Sequence, residues 1–352
     1  MKPTWQRLRQ GEAAFAPYLA RGRVIKAIRS FFDAQGFEEV ETPLLVAAPG
    51  MEPYLEVFET RLIEARGAVF RAFLTTSPEY AMKKLLVAGL PKLYQICKSF
   101  RNGEEVSRGH NPEFTILEWY RSHADYTDIM TDCEGLLRYI WHALHPDVPP
   151  DTPATLTWRG QTIALDGPWE RITVREAFAR YAATDLDAVE TDAAMRVALR
   201  TKGYTVAPET TWEQGYHQIF LNEIEPHLGQ GTPMILCDYP ASLAALARRK
   251  ADDPRYAERF EFYAFGVELG NAFSELTDAD EQEARLRAEQ AERAALGKTP
   301  YAYDADFITA LRAGMPPAGG IAVGVDRLVM LFAGADSIQD TLWFPAPELF
   351  AP

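Results

Sequence analysis

The sequence predicts an α+β protein, an antiparallel sheet flanked by helices, and three observations lead there. Residues 94–101 and 113–121 each alternate apolar and polar side chains around a turn-rich stretch, the pattern of a long antiparallel hairpin. Strand-like runs return much later, at 234–238, 259–269 and 319–324. Around them lie segments whose apolar residues recur at helical spacing. At 352 residues the chain has the length of one large domain or two moderate ones, and its 47% apolar and 24% charged content is that of a globular protein.

In order along the chain, residues 1–20 read as a short N-terminal arm. From Arg21, the apolar residues Val24, Ile25, Ile28, Phe31 and Phe32 keep helical spacing up to Gly36, a natural stop. A strand over 38–42 is ended by Pro43. Ser77 and Pro78 offer a capping side chain and a first-turn proline to a helix running through Met82, Leu85 and Leu86 to Gly89. In the hairpin, Asn102-Gly103 and Gly109-His110-Asn111-Pro112 carry the turn signals. Prolines at 146, 149, 150 and 153 mark a connection, and roughly 122–230 reads as a mixed helical insertion within one domain spanning 21–352. Residues 278–296 form a charged helix in which Glu281 with Arg285, Glu283 with Arg287, and Glu289 with Arg293 pair at i,i+4 along a solvated face. After the 319–324 strand, a helix begins near Asp326.

Thirty-six basic against 50 acidic residues give a net charge of -14, a surface that repels polyanions, so long nucleic acid is a poor first partner. Cys97, Cys133 and Cys237 are far apart and odd in number, which argues for reduced thiols. The start of the chain lacks the apolar core of a secretory signal, and nothing approaches eighteen uncharged apolar residues. A soluble cytoplasmic protein with no membrane partner is expected.

Several familiar signatures fail. Gly297-Lys298-Thr299 ends like a P-loop, but Glu292 stands where its first glycine is required. What remains is charge where a packed sheet should not want it. One face of the second hairpin strand reads Phe114, Ile116, Glu118, Tyr120, so a carboxylate interrupts an apolar stripe. Buried unpaired, it would cost several kcal/mol; it needs a cationic partner, a protein arginine or a ligand ammonium, or else a protonation shift. Glu268 and Glu275 interrupt a second apolar run, and brought together they would repel unless a divalent or substrate cation sits between them, magnesium with a nucleotide being the natural one. Arg101 ends a strand where the hairpin loop opens. Arg327 follows Gly319, Gly320 and Gly324, whose backbone lets a flat ligand approach.

These strings have a family likeness. Phe100-Arg101-Asn102-Gly103-Glu104 with His110-Asn111-Pro112-Glu113-Phe114 resembles motif 2 of class II aminoacyl-tRNA synthetases in the lysine-specific form. Residues 320–328 resemble motif 3, and the helix and strand ending at Glu41-Thr42-Pro43 resemble motif 1, which builds a dimer interface in that family. Residues 76–80, 268–276 and 337–340 are further lysine-type matches, so the resemblance covers roughly 20–345. Lysine-charging members carry an N-terminal anticodon-binding barrel of about a hundred residues, for which there is no room before motif 1. The chain is therefore similar to the truncated branch, which modifies a lysine side chain of elongation factor P. Ala322, where lysine-charging members usually have glycine, fits a pocket for (R)-beta-lysine rather than lysine.

The resemblance implies a class II synthetase catalytic core, an ATP-dependent ligase that makes an acyl-adenylate with ATP and Mg2+, acts as a homodimer through motif 1, and does not use tRNA. Arg101 and Arg327 would be catalytic, the first bridging the amino-acid carboxylate and the α-phosphate, the second sandwiching adenine with Phe114. Asn102, Glu104, His110, Asn111, Glu268, Leu269 and Gly324 would complete the ATP site. The acid that normally follows the motif 2 arginine by two residues here follows by three, leaving Glu104 or Glu105 to face ATP. Glu268 and Glu275 would hold the metal. Ser77, Glu79, Glu118, Tyr120, Asn271, Glu275 and Ala322 would line the amino-acid pocket. The rival expectations are tRNA charging with a separate anticodon partner, and a non-catalytic paralogue acting as a regulator.

Overall fold

A computed structural model describes residues 3–9 and 11–350; positions 1, 2 and 10 of the expected arm, and 351 and 352, lie outside the described residues. In chain order the elements are α1 (Thr4–Leu8), α2 (Ala16–Ala34), β1 (Glu38–Glu39), β2 (Leu45–Val46), β3 (Glu59–Ile63), β4 (Val69–Leu74), α3 (Glu79–Val87), β5 (Lys92–Phe100), β6 (Glu113–Ser122) and α4 (Tyr126–Leu144). Next come β7 (Thr155–Trp158), β8 (Gln161–Ala164), β9 (Glu170–Thr173), α5 (Val174–Ala182), α6 (Asp192–Thr201) and α7 (Trp212–Ile219). The chain continues with β10 (Met234–Pro240), β11 (Tyr256–Ala264), β12 (Val267–Ser274), α8 (Ala279–Ala295), α9 (Ala305–Gly314), β13 (Ala318–Gly324), α10 (Val325–Phe332) and α11 (Ala346–Leu349).

The α+β expectation holds. An eight-stranded sheet runs β1-β5-β6-β13-β12-β11-β10-β9, antiparallel through its middle and parallel only at its two edges. Side chains alternate across it. Tyr94, Leu117, Trp119, Ile321, Val323 and Phe262 point to one face, where α2, α4 and α10 cover them with Val24, Phe32, Leu136 and Leu328. The opposite face is covered only at its ends. Around Leu93 and Tyr120 pack α3, α8 and α9, through Met82, Leu286 and Phe307. Around Leu236 and Tyr263 pack α5, α6 and α7, through Phe178, Met195 and Tyr216. Between these groups, strands β6, β13 and β12 lie open, and that gap is the site.

The structure corrects the sequence reading in places. The helix read from Arg21 begins at Ala16, with Pro17 in its first turn, and α1 lies within the stretch read as an arm. The strand expected over 38–42 pairs only at Glu38 and Glu39. Residues 259–269 are not one strand: Phe265 and Gly266, both at positive φ (55° and 72°), turn the chain between β11 and β12, the geometry of a two-residue hairpin. Three strands, β7, β8 and β9, interrupt the stretch read as mixed helix. Gly319 and Gly320 serve packing rather than ligand approach. A Cβ on Gly319 would sit 2.8 Å from the Asp125 carbonyl oxygen of the α4 cap, and one on Gly320 would collide with the Tyr120 ring and the Glu275 carboxylate. Among the described residues no helix is long and apolar enough to cross a membrane.

Candidate active site

The sheet register places Gln95, Glu118, Ala322, Asn271 and Glu261 side by side on five successive strands, on the uncovered face. Glu118 is fully buried there. Its carboxylate accepts from the Ser77 hydroxyl at 2.6 Å and the Tyr120 hydroxyl at 2.9 Å. No cation lies within ion-pair distance among the described residues. Burial, reinforced by the charge of Glu79, pushes its carboxyl up to about 8. Of the two partners expected for Glu118, the protein arginine is not there.

Beside it, Lys83 is held at 2.5 Å by both Glu79 and Glu275, with Lys83 and Glu275 almost fully buried. Burial works against the Lys83 charge, but the two carboxylates outweigh it. Sequence reasoning missed Lys83; the available signal was Glu79 four residues ahead of a lysine in an apolar helix.

Two cavities open over this floor. The larger, about 780 Å3, is lined by Ser77, Glu79, Glu118, Tyr120, Asn271 and Ala322. The smaller, about 180 Å3, is lined by Glu104, His110, Asn111, Phe114, Glu268, Leu269, Gly324 and Arg327. They meet at Arg101, Ile116, Asn271 and Ala322, which line both. Arg101 and Arg327 thus share one cavity, although they lie on segments far apart in the chain. Asn102 lines neither cavity; its side-chain oxygen accepts from the Gly103 amide at 2.9 Å. Glu105 is exposed, whereas Glu104 faces Arg101 at 3.9 Å.

Arg101 is poised rather than tied down. Its guanidinium lies 5.2 Å from the Phe114 ring centroid, and its buried Nε has no partner among the described residues. An orphaned donor at the junction of two cavities fits an anion arriving there. Arg327 donates to the Glu268 carbonyl oxygen at 2.7 Å and approaches the Glu268 carboxylate at 3.5 Å. It also lies 3.0 Å from His110 Nε2, which must be the acceptor because a guanidinium only donates. Gln339 donates to the carbonyl oxygens of Ser107 and His110, at 3.1 and 2.9 Å, clasping the loop that carries the cavity wall.

Glu268 reaches this face through a β-bulge. Phe262 pairs with Gly270, but the next residue, Tyr263, pairs with Glu268, so Leu269 is the extra residue and Glu268 comes round to the side of Asn271. The structure does not bring Glu268 and Glu275 into one cavity: Glu268 lines the smaller one, and Glu275 lines neither and faces Lys83. Among the described residues there is no cluster of three or more metal-ligating side chains. Glu104 and Glu268 both line the smaller cavity, and carboxylate oxygens there fit a divalent cation that completes its shell with ligand oxygens and water.

Of the three helix pairs expected on α8, Glu281 with Arg285 and Glu283 with Arg287 form. The third does not. Arg293 turns inward, 1% exposed, and binds the Glu56 carboxylate together with the carbonyl oxygens of Glu52, Leu55 and Thr299. Glu289 is left facing the larger cavity, where burial and the charge of Glu52 push its carboxyl up to about 8. Glu52, also raised by burial, lines the same cavity; nothing in the sequence signalled it.

Sheet and site together define a class of protein. Residues 5–348 match the family described as tRNA synthetases class II (D, K and N), and the chain belongs to that family. Two kinds of relative stand out. Proteins named Elongation factor P--(R)-beta-lysine ligase, from Hamiltonella defensa and Salmonella paratyphi B, are each 39% identical over 96% and 97% of this chain and 97% of their own length. The lysine–tRNA ligase of Moorella thermoacetica is 39% identical over 93% of this chain, which spans only 64% of that protein.

Proposed function

We propose that the chain is a cytoplasmic ATP-dependent ligase that activates (R)-beta-lysine, or lysine, as an acyl-adenylate and transfers it to a lysine side chain of elongation factor P. The observation that carries this reading is the position of Arg101, at the junction between a cavity with an unpaired buried carboxylate and a cavity walled by Phe114 and Arg327. The near full-length match to proteins of that name supports it. Residues 21–352 act as the catalytic domain, with roughly 122–230 inserted.

In this reading Glu118, Ser77 and Tyr120 receive an ammonium of the diamino acid, and its carboxylate lies toward Arg101. The carboxylate oxygen attacks the α-phosphate, pyrophosphate leaves, and the acceptor amine then attacks the acyl carbon and expels AMP. Such chemistry needs positioning and charge neutralisation more than covalent help from the protein. Phe114 and Arg327 hold the adenine between them, a stacking and cation–π arrangement worth about 0.5 to 2 kcal/mol. Glu268 would hold magnesium, which would neutralise phosphate charge when bound with the triphosphate. A homodimer through α2 and β1 belongs to the same proposal. Exposed Leu62, Ile63, Val69 and Phe70 on the β3–β4 hairpin are apolar surface of the kind a partner covers.

The test is adenylation measured with lysine and both beta-lysine enantiomers, followed by mass spectrometry of elongation factor P. Absence of a mass increase on elongation factor P, or transfer of labelled lysine to tRNA instead, overturns the assignment. Two further results are expected. Ala322→Gly shifts selectivity toward lysine by no more than about 1 to 3 kcal/mol, the worth of one methyl; an unchanged ratio of the two substrates contradicts the pocket. The free protein holds a proton on Glu118 below pH 8, and an ammonium ligand expels it, so calorimetric affinity for the amino acid should fall as pH is lowered from 8.5 to about 6. Glu118→Gln should flatten that dependence.

A further inference from the structure

Asn271 lines both cavities and neighbours Ala322 in the sheet. Its amide has an accepting end and a donating end, and the two ends suit opposite ligand groups. The adjacent strand decides which end is offered. Arg259, on β11, donates its Nε–H to Asn271 Oδ1 at 3.1 Å. A guanidinium has five donors and no acceptor, so the Asn271 atom facing it must be the oxygen. The Nδ2 group is then left for the cavity, with no partner among the described residues.

Arg259 is itself held on every side. Nη2 donates to Glu261 at 2.6 Å, and Nη1 donates to the Leu243 carbonyl oxygen at 2.5 Å. Its guanidinium lies 4.3 Å from the Tyr239 ring centroid, and the second Glu261 oxygen accepts from the Tyr263 hydroxyl at 2.5 Å. Only a planar fork can address Asn271, Leu243 and Glu261 at once.

We propose that Arg259 is a positioning residue: it locks the Asn271 amide so that its two N–H bonds point at the carboxylate of the amino-acid substrate and at the acyl carbonyl oxygen formed from it. This rests on the adenylation reading above. In acyl transfer the acceptor nitrogen bonds to the acyl carbon, the carbon–oxygen bond to phosphate breaks, AMP leaves with the electron pair, and the surplus amine proton passes to solvent. Negative charge gathers meanwhile on the carbonyl oxygen, where a fixed donor counts most.

The test is pyrophosphate exchange with amino acid and ATP varied separately. Arg259→Met and Asn271→Ala should each lower kcat/KM for the amino acid about tenfold or more, with KM for ATP unchanged. The double variant should be no worse than Asn271→Ala. Arg259→Lys, which keeps a charge opposite Glu261 and so preserves folding, should show the same loss because it lacks the fork. Multiplicative losses in the double variant, or a normal amino-acid kcat/KM in a folded Arg259 variant, overturn the positioning role. A wild-type chain that exchanges pyrophosphate with no lysine isomer overturns the functional reading and this inference together.

Discussion

Replacing Arg101 by alanine should lower amino-acid-dependent pyrophosphate exchange at least about a hundredfold, the usual loss when a donor to developing transition-state charge is removed. The side chain sits where the two cavities meet, its Nε unpartnered and its nearest carboxylate, Glu104, 3.9 Å away. It therefore contributes little to the fold, and the variant should melt at the temperature of the parent. Arg101→Lys should recover only part of the rate, because an ammonium carries the charge without the fork that spans two oxygens. Near-normal exchange in a folded Arg101→Ala variant would remove this residue from the chemistry.

Lys83→Met should destabilise the protein by about 3 to 5 kcal/mol above pH 8, where Glu275 is charged, the cost of stripping one partner from a buried ion pair. The lysine lies between Glu79 and Glu275, and Glu275 has no exposed side-chain surface through which water could replace it. Burial already pushes the Glu275 carboxyl up to about 8 against the pull of Lys83; without the lysine it rises further. A carboxyl whose folded value lies above its unfolded value carries no penalty below the unfolded value. The penalty grows as pH climbs from there toward the folded value. Parent and variant share that penalty up to about 8, where both hold Glu275 protonated, so the deficit in urea unfolding should be small at pH 6 and grow as pH rises from 8 to about 9.5. Equal deficits at both ends of that range would mean that Lys83 acts through packing.

The hairpin β5–β6, the open face carrying Glu118, and the two arginines were legible because each is written in local pattern. Alternation marks the strands, and a carboxylate in an apolar stripe marks itself. What stayed hidden depends on geometry that pattern does not carry. Glu268 and Glu275 are an odd number of residues apart, so regular alternation would put them on opposite faces, and one extra residue at Leu269 cancels that parity. The Glu289–Arg293 spacing is that of a surface pair, yet the arginine found three backbone carbonyls and Glu56 inside instead. Lys83 reads as an ordinary helical lysine because Glu275, its second partner, comes from a strand nearly two hundred positions later. Arg259 and Asn271 meet only because β11 and β12 are neighbours.

Strand β13 enters the middle of the sheet from far down the chain. Hairpins β5–β6 and β11–β12 close through twelve and two residues, but β13 pairs with β6 across about two hundred residues of intervening sequence, the slow kind of contact to form. Until it docks, β6 and β12 each present a bare edge, and two bare edges in one chain invite pairing with the wrong neighbour. In a chain that forms its hairpins first, the docking of β13 would bring Ala322 into the sheet and close both bare edges in one step.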